Sequence, residues 1–192
     1  SAVLAFGQSD LKRLLAYSTL SQVALMLSAL AVAPAAEGPA AGTLHLYSHA
    51  FFKALLFLAI GWLSVTVGGT AATTMRGGLR GHLLIRPAMF VGLVALAGVP
   101  PLTGFVSKEY VLAAAEAGAG DGQVRAWLVL LAGLVTVALT AAYCMRAWLV
   151  LDDVGAADVA RHNPDPPTMA VPPGLTVLPA RPASGGAAPP PP

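Results

Sequence analysis

From Leu14 to Ala33 the chain runs without a single Asp, Glu, Lys or Arg. As a helix rising 1.5 Å per residue, that stretch is long enough to cross ~30 Å of hydrocarbon. Three further apolar segments follow, from about Thr43 to Val67, Pro87 to Ala117 and Ala126 to Leu151. In lipid every backbone N–H and C=O needs an internal partner, so spans of this length predict helices. The expected fold class is all-α, a polytopic transmembrane bundle of about four spans.

The third segment is interrupted by GVPPLTGF. Pro100 and Pro101 remove two backbone donors and push Val99 out of helical geometry, so a continuous helix is not expected. Each half is shorter than the ~20 residues a crossing needs, whereas broken spans occur where freed backbone lines a polar cavity. The length therefore predicts one discontinuous helix, broken around Pro100, Pro101 and Gly104. With four crossings, Lys12, Arg13, Arg76, Arg80, Arg86 and Arg146 share one side, opposite Glu37, Asp121 and Arg125. Two separate spans would exchange Arg146 for Arg125, so charge adds little and length decides. The Lys/Arg-rich side is expected to be cytoplasmic, in the plasma membrane of a bacterium.

Composition agrees with this class. The chain is 56% hydrophobic and 10% charged, against about 25% charged in soluble domains. A net charge of +2 without a basic run argues against nucleic acid. The single Cys144 excludes an internal disulfide framework and a cysteine-rich metal site. There is no signal-peptide pattern. The opening SAVLAFGQSD, without an initiator Met, reads as the end of a helix already under way and suggests a piece of a longer polypeptide. Residues 1–151 are expected to form the membrane domain. Residues 152–192, rich in Pro, Ala and Gly, are expected to be a disordered tail.

The second segment carries HLYSHAFFK, which puts His45, His49 and Lys53 at four-residue steps. On a helix those steps make a slowly spiralling stripe roughly 12 Å long. A charged side chain at the bilayer centre costs about 2.5–3.5 kcal/mol, so such residues turn to the bundle interior or a wet cavity and carry function by default. Imidazoles titrating near neutrality, with an amine beside them, make a row that can relay protons. A metal site at HLYSH lacks a third ligand at useful spacing. His45 as a simple partner for a carbonyl and Lys53 as a packing accident are the plainer alternatives. Lys108, just past the break, is a second candidate, with an interfacial anchor beside Glu109 as its alternative. Lys12 and Arg13 precede the first span and have a purely topological alternative.

Taken in order, DLKRLLAYSTLSQ, HLYSHAFFKALLFL and GVPPLTGFVSKE resemble the antiporter-like membrane subunits of respiratory complex I, most closely the large L-type (subunit five type). The resemblance covers roughly residues 1 to 151. It implies a proton-translocating subunit of NADH:quinone oxidoreductase, with a hydrated polar axis at mid-membrane and a discontinuous helix bearing the last lysine. Lys12, His45, His49, Lys53 and Lys108 match family residues on that axis.

The family's first repeat, with its Glu and Lys pair, its closing helices and its long lateral helix have no counterpart here, so a C-terminal-half fragment is expected. Cysteine clusters and a dinucleotide-binding glycine fingerprint are also missing from the sequence. No cofactor is therefore expected in this chain, and NADH and quinone are expected to be handled by partner subunits. The lipid bilayer and other membrane subunits of complex I are the expected partners. An Mrp-type Na+/H+ antiporter or membrane hydrogenase subunit is the alternative machine, and a non-conducting structural fragment the alternative class.

Overall fold

A computed structural model describes residues 1–33 and 37–153. Among them there are six helices and no strands: α1 (Ala2–Phe6), α2 (Leu11–Val32), α3 (Glu37–Val67), α4 (Ile85–Ala97), α5 (Thr103–Gly120) and α6 (Val124–Leu151). Of these, α2, α3 and α6 are each long and apolar enough to cross a membrane, and α4 is a shorter apolar helix. The tail expected over 152–192 falls on residues 154–192, which lie outside the described residues. Asp152 and Asp153 are described and are held by Arg86 and Arg76, each at 2.9 Å.

The bundle has the exposure pattern of a protein surrounded by lipid. Leu20, Leu27, Phe51, Leu58, Leu128, Leu131 and Leu149 face outward, while Gln22, His45, Lys53 and Lys108 are buried. In water that surface would leave a large apolar area wet; in hydrocarbon it costs nothing.

Two apolar layers show how the broken segment runs. The larger gathers Leu11, Leu14 and Leu15 of α2, Phe52 to Leu63 of α3, Met89, Leu93 and Leu96 of α4, and Tyr143 to Leu151 of α6. A second gathers Leu25 and Ala29 of α2, Ala41 of α3, and Val111 and Ala114 of α5. Val32, Ala115, Ala119 and Ala126 extend it toward the far end. Thus α4 packs on the late half of α3 and on α6, in the layer that holds the early half of α2, whereas α5 packs on the late half of α2 and the early half of α3. The two helices together cross the bundle once, as one discontinuous span.

The break has local causes. Gly98 ends α4 with φ +84°, a left-handed cap that closes on Val94 and Ala95 carbonyls at 3.1 Å. Pro100 and Pro101 then lie exposed in the connection, joined by a cis peptide. Gly104 opens α5 against α4 so closely that a Cβ there would stand 1.8 Å from the Ala95 carbonyl oxygen.

One end of the bundle is stitched by backbone and arginine contacts. Leu11 N–H donates to the Thr70 carbonyl at 2.9 Å, and Ala72 N–H to Ser9 at 2.7 Å. The loop between α3 and α4 buries Met75 and Leu79 and donates from Gly77 to Val150 at 2.9 Å and from Leu79 to Leu151 at 3.2 Å. Those bonds satisfy carbonyls at the end of α6 that have no intrahelical partner. Arg146 reaches the Phe6 carbonyl and the Gln8 carbonyl, the latter at 3.0 Å.

Candidate functional site

Between the two apolar layers lies a polar belt. It takes Ser18, Ser21 and Gln22 from α2, His45, Ser48, His49 and Lys53 from α3, Ser107 and Lys108 from α5, and Thr140 and the Tyr143 hydroxyl from α6. Most of these residues come from the part of their helix that separates the two layers, with Lys53 and Tyr143 at the inner edge of the larger one, so the belt falls near mid-thickness. Four of the titratable side chains are nearly inaccessible: His45 is 0% exposed, Lys108 3%, and His49 and Lys53 5% each.

Each lysine is held by carbonyls. Lys53 donates to the Leu15 carbonyl of α2 at 3.0 Å. Lys108 donates to the Leu96 and Ala97 carbonyls, at 2.5 and 3.1 Å. These are among the last carbonyls of α4, left without helical partners by the break, at the end of the helix where a cation is favoured. The break thus creates the socket that Lys108 fills. Among the described residues no Asp or Glu is buried beside either amine. The ion pairs lie elsewhere, between Arg76 and Asp153 and between Arg86 and Asp152.

His45 links three helices. Its Nδ1 lies 2.8 Å from Ser107 Oγ on α5, and its Nε2 lies 3.1 Å from Gln22 Oε1 on α2. Gln22 Nε2 donates to Thr140 Oγ1 at 3.2 Å, and the Tyr143 hydroxyl donates to the same oxygen at 3.2 Å. Tyr143 also shares a 2.6 Å hydrogen bond with Ser18. His49 packs its ring 6.1 Å from that of His45 and edge-on to Phe52 at 5.4 Å. Among the described residues, His49 Nε2 is a buried nitrogen without a hydrogen-bond partner. His49 lies within electrostatic range of Lys53, His45 and Lys108, and Lys53 within range of Lys108.

The structure thus brings His45, His49, Lys53 and Lys108 together, with Gly104 at the close contact that seats the break. Lys12 stands apart, exposed in the first turn of α2. Lys12, Arg13, Arg76, Arg80, Arg86 and Arg146 lie toward the stitched end, and Glu37, Asp121 and Arg125 toward the other. Gln22, Thr140, Tyr143, Ser18 and the ring contact of Ser107 were not singled out from the sequence. Their signal was present: isolated polar residues at helical spacing in apolar spans, such as STLSQ on α2 and Thr140 and Tyr143 on α6, turn inward. Among the described residues, no three His, Cys, Asp or Glu side chains gather as a metal would need.

Comparison with known proteins places the chain among relatives. A sequence model described as NADH:quinone oxidoreductase/Mrp antiporter, transmembrane, matches residues 1–142. NAD(P)H-quinone oxidoreductase subunit 5 of Paulinella chromatophora is 42% identical over 158 residues, covering 78% of this chain and 22% of the relative. NADH-quinone oxidoreductase subunit L of Mycobacterium tuberculosis is 37% identical over 150 residues, covering 78% and 23%. NADH-ubiquinone oxidoreductase chain 5 of Balaenoptera physalus is 36% identical over 147 residues, covering 76% and 23%. The chain therefore spans less than a quarter of the length of these relatives. Among solved structures, a chain of the membrane-bound sulfane sulfur reductase, an archaeal respiratory membrane complex, superposes with a TM-score of 0.69 at 32% identity. That match covers 78% of this chain and 29% of the other.

Proposed function

The chain belongs to the NADH:quinone oxidoreductase/Mrp antiporter family of membrane subunits, and from that premise we propose that it moves protons through the bilayer along Lys53, His49, His45 and Lys108. One observation carries this reading: two amines and two imidazoles are buried together at mid-thickness, without a buried carboxylate among the described residues. A structural role alone gives little reason to bear the desolvation of so many ionisable groups. Proton exchange does, because each group can hold or release a proton while a neighbour's charge opposes it. A bare buried nitrogen such as His49 Nε2 costs about 1–3 kcal/mol. A water hydrogen-bonded there would remove that cost.

Lys108 sits at the second end of the row, where the broken helix lets its carbonyls exchange one partner for another. Lys12 contributes at the basic end rather than within the buried row. The redox reaction that drives the movement belongs to partner subunits of a complex I type assembly, which handle NADH and quinone. The basic end faces the cytoplasm of a bacterial cell.

The test is proton movement by the assembled complex in liposomes, read with a pH-sensitive dye. Replacing Lys53 or Lys108 with Ala should slow passage through this chain by about a hundredfold, the low end of what a positioned proton-transferring group contributes. Unchanged protons per electron in both variants would overturn the reading. A second machine, an Mrp-type Na+/H+ antiporter, draws support from the family description, which names Mrp antiporters beside the oxidoreductase. Sodium movement lost in the same variants, with proton movement following it, would favour that machine.

A further inference from the structure

His45 is gripped on both sides, and the bonds beyond each grip decide where its hydrogens can be. On the α2 side, Thr140 gives its own hydroxyl hydrogen to the Thr136 carbonyl at 2.6 Å and accepts from Tyr143 at 3.2 Å. Thr140 can therefore only accept from Gln22, so Gln22 presents its NH2 to Thr140 at 3.2 Å. The amide oxygen is left 3.1 Å from His45 Nε2, which must carry a hydrogen. Turning the amide over would require the Thr140 hydrogen and forfeit the bond to Thr136. On the α5 side, Ser107 Oγ stands 2.8 Å from His45 Nδ1 and 3.3 Å from the Gly104 carbonyl oxygen. Ser107 has one hydroxyl hydrogen for two acceptors.

We propose that Gln22 and Ser107 are positioning residues of this pathway. Gln22 fixes neutral His45 as its Nε2–H tautomer, so the ring takes up a proton at Nδ1. That proton turns the Ser107 hydroxyl onto Gly104, in the first turn of the helix that carries Lys108.

The bookkeeping is simple. One proton binds Nδ1, and the new Nδ1–H donates to Ser107 Oγ. The Ser107 hydroxyl exchanges its bond to the ring for one to the Gly104 carbonyl, and only His45 changes protonation. The titratable groups around the ring are Lys108 beside Ser107 on α5, His49 and then Lys53 on α3, and Tyr143 on α6, reached through Thr140 and Gln22. Cys144 of α6 is buried within electrostatic range of both lysines. On α2 the contact is the neutral amide of Gln22. Protons on His45 and Lys108 repel one another, so loading the ring both turns Ser107 and opposes the charge at the next residue along α5. The charge state of the histidine is thereby passed to the broken helix.

This inference deepens the proton-pathway reading and rests on it only for its purpose. The experiment is solid-state 15N NMR of the full chain in lipid bilayers, with ring-labelled histidine, in mildly alkaline buffer where the ring is neutral. Signals lost in His45→Gln identify the ring. The wild-type protein should show a pyridine-type Nδ1 and a pyrrole-type Nε2 as a single pattern. Gln22→Leu should give both tautomers. Ser107→Ala should keep the Nε2–H pattern but shift Nδ1, and Ser107→Thr should restore it. A pyrrole-type Nδ1 in the wild-type protein overturns the proposal, as does an unchanged single tautomer in Gln22→Leu. Because a pyrrole-type Nδ1 in the wild-type spectrum overturns the proposal by itself, the test survives a variant that fails to fold. Proton flux is not part of the readout, so a failed tautomer leaves the pathway reading standing and a failed pathway leaves the tautomer measurable.

Discussion

At the scale of single residues, the site depends on positions that carry no chemistry themselves. Gly104 is the sharpest case, because a methyl group there would meet backbone, the Ala95 carbonyl oxygen at 1.8 Å and its carbon at 2.8 Å. Backbone cannot rotate away, so α5 would have to lift off α4. Gly104→Ala should cost about 1–3 kcal/mol as overpacking. Gly61→Ala makes the control, since nothing stands within 4 Å of its added carbon. Thermal unfolding in detergent should show a lower midpoint for Gly104→Ala and none of that loss for Gly61→Ala; equal midpoints would mean that the break is not closed by this contact. Residue chemistry also explains what could be read in advance. His45, His49 and Lys53 announce themselves because charge in an apolar run is costly. Gln22, Thr140 and Tyr143 do not, because a hydroxyl or amide in a span is common enough to pass as packing. Only the fold shows that they join His45.

At the scale of helices, hydropathy located the spans but trimmed their ends. The first span was expected from Leu14 and begins at Leu11, and the second was expected from Thr43 and begins at Glu37. Hydrophobicity marks the part that faces lipid, whereas the helix continues to wherever its terminal N–H groups find partners. For α2 that place is Asp10, whose carboxylate accepts from Arg13 N–H at 2.9 Å and from the Thr70 hydroxyl. Burial alone would raise the Asp10 carboxyl from its ordinary 3.8. The Thr70 hydroxyl, the Arg13 and Lys12 N–H groups and the Arg13 charge together hold it lower. A carboxyl lowered on folding contributes stability that is present above its unfolded value and is lost as pH falls through its folded one. Asp10→Ala should therefore destabilise the chain by about 1 kcal/mol at neutral pH, as loss of an N-cap does. The difference from wild type should shrink in acid below the ordinary carboxyl value. A gap that stays constant with pH would show that the cap does not act through its charge. The broken span was legible for a different reason: two consecutive prolines cannot sit inside a helix, and the short halves then left one crossing as the economical reading.

At the scale of the whole molecule, the two ends differ in charge and in how they are closed. One end gathers Arg76, Arg80, Arg86 and Arg146, with Asp152 and Asp153 tied to Arg86 and Arg76 at 2.9 Å. The other turns from α5 to α6 through Asp121 and Gln123, with Arg125 as its basic residue. Packing assigns residues to ends without reference to charge, because α4 shares a layer with the early half of α2 and α5 with its late half. Insertion then has the excess of Lys and Arg to act on, and the positive-inside rule predicts a cytoplasmic basic end. An exposed position at each end reports the result. Thr73 lies exposed in the loop between α3 and α4, and Asp121 lies exposed at the end of α5, while the native Cys144 is buried and gives little background. With the full chain expressed in a bacterium, Asp121→Cys should react with a membrane-impermeant maleimide in intact cells, and Thr73→Cys only after the membrane is opened. The reverse pattern would place the basic end outside and invert the direction in which the Lys53-to-Lys108 row is crossed. Labelling of both from outside would mean that α4 and α5 do not make a single crossing, and the polar belt would no longer lie at mid-membrane.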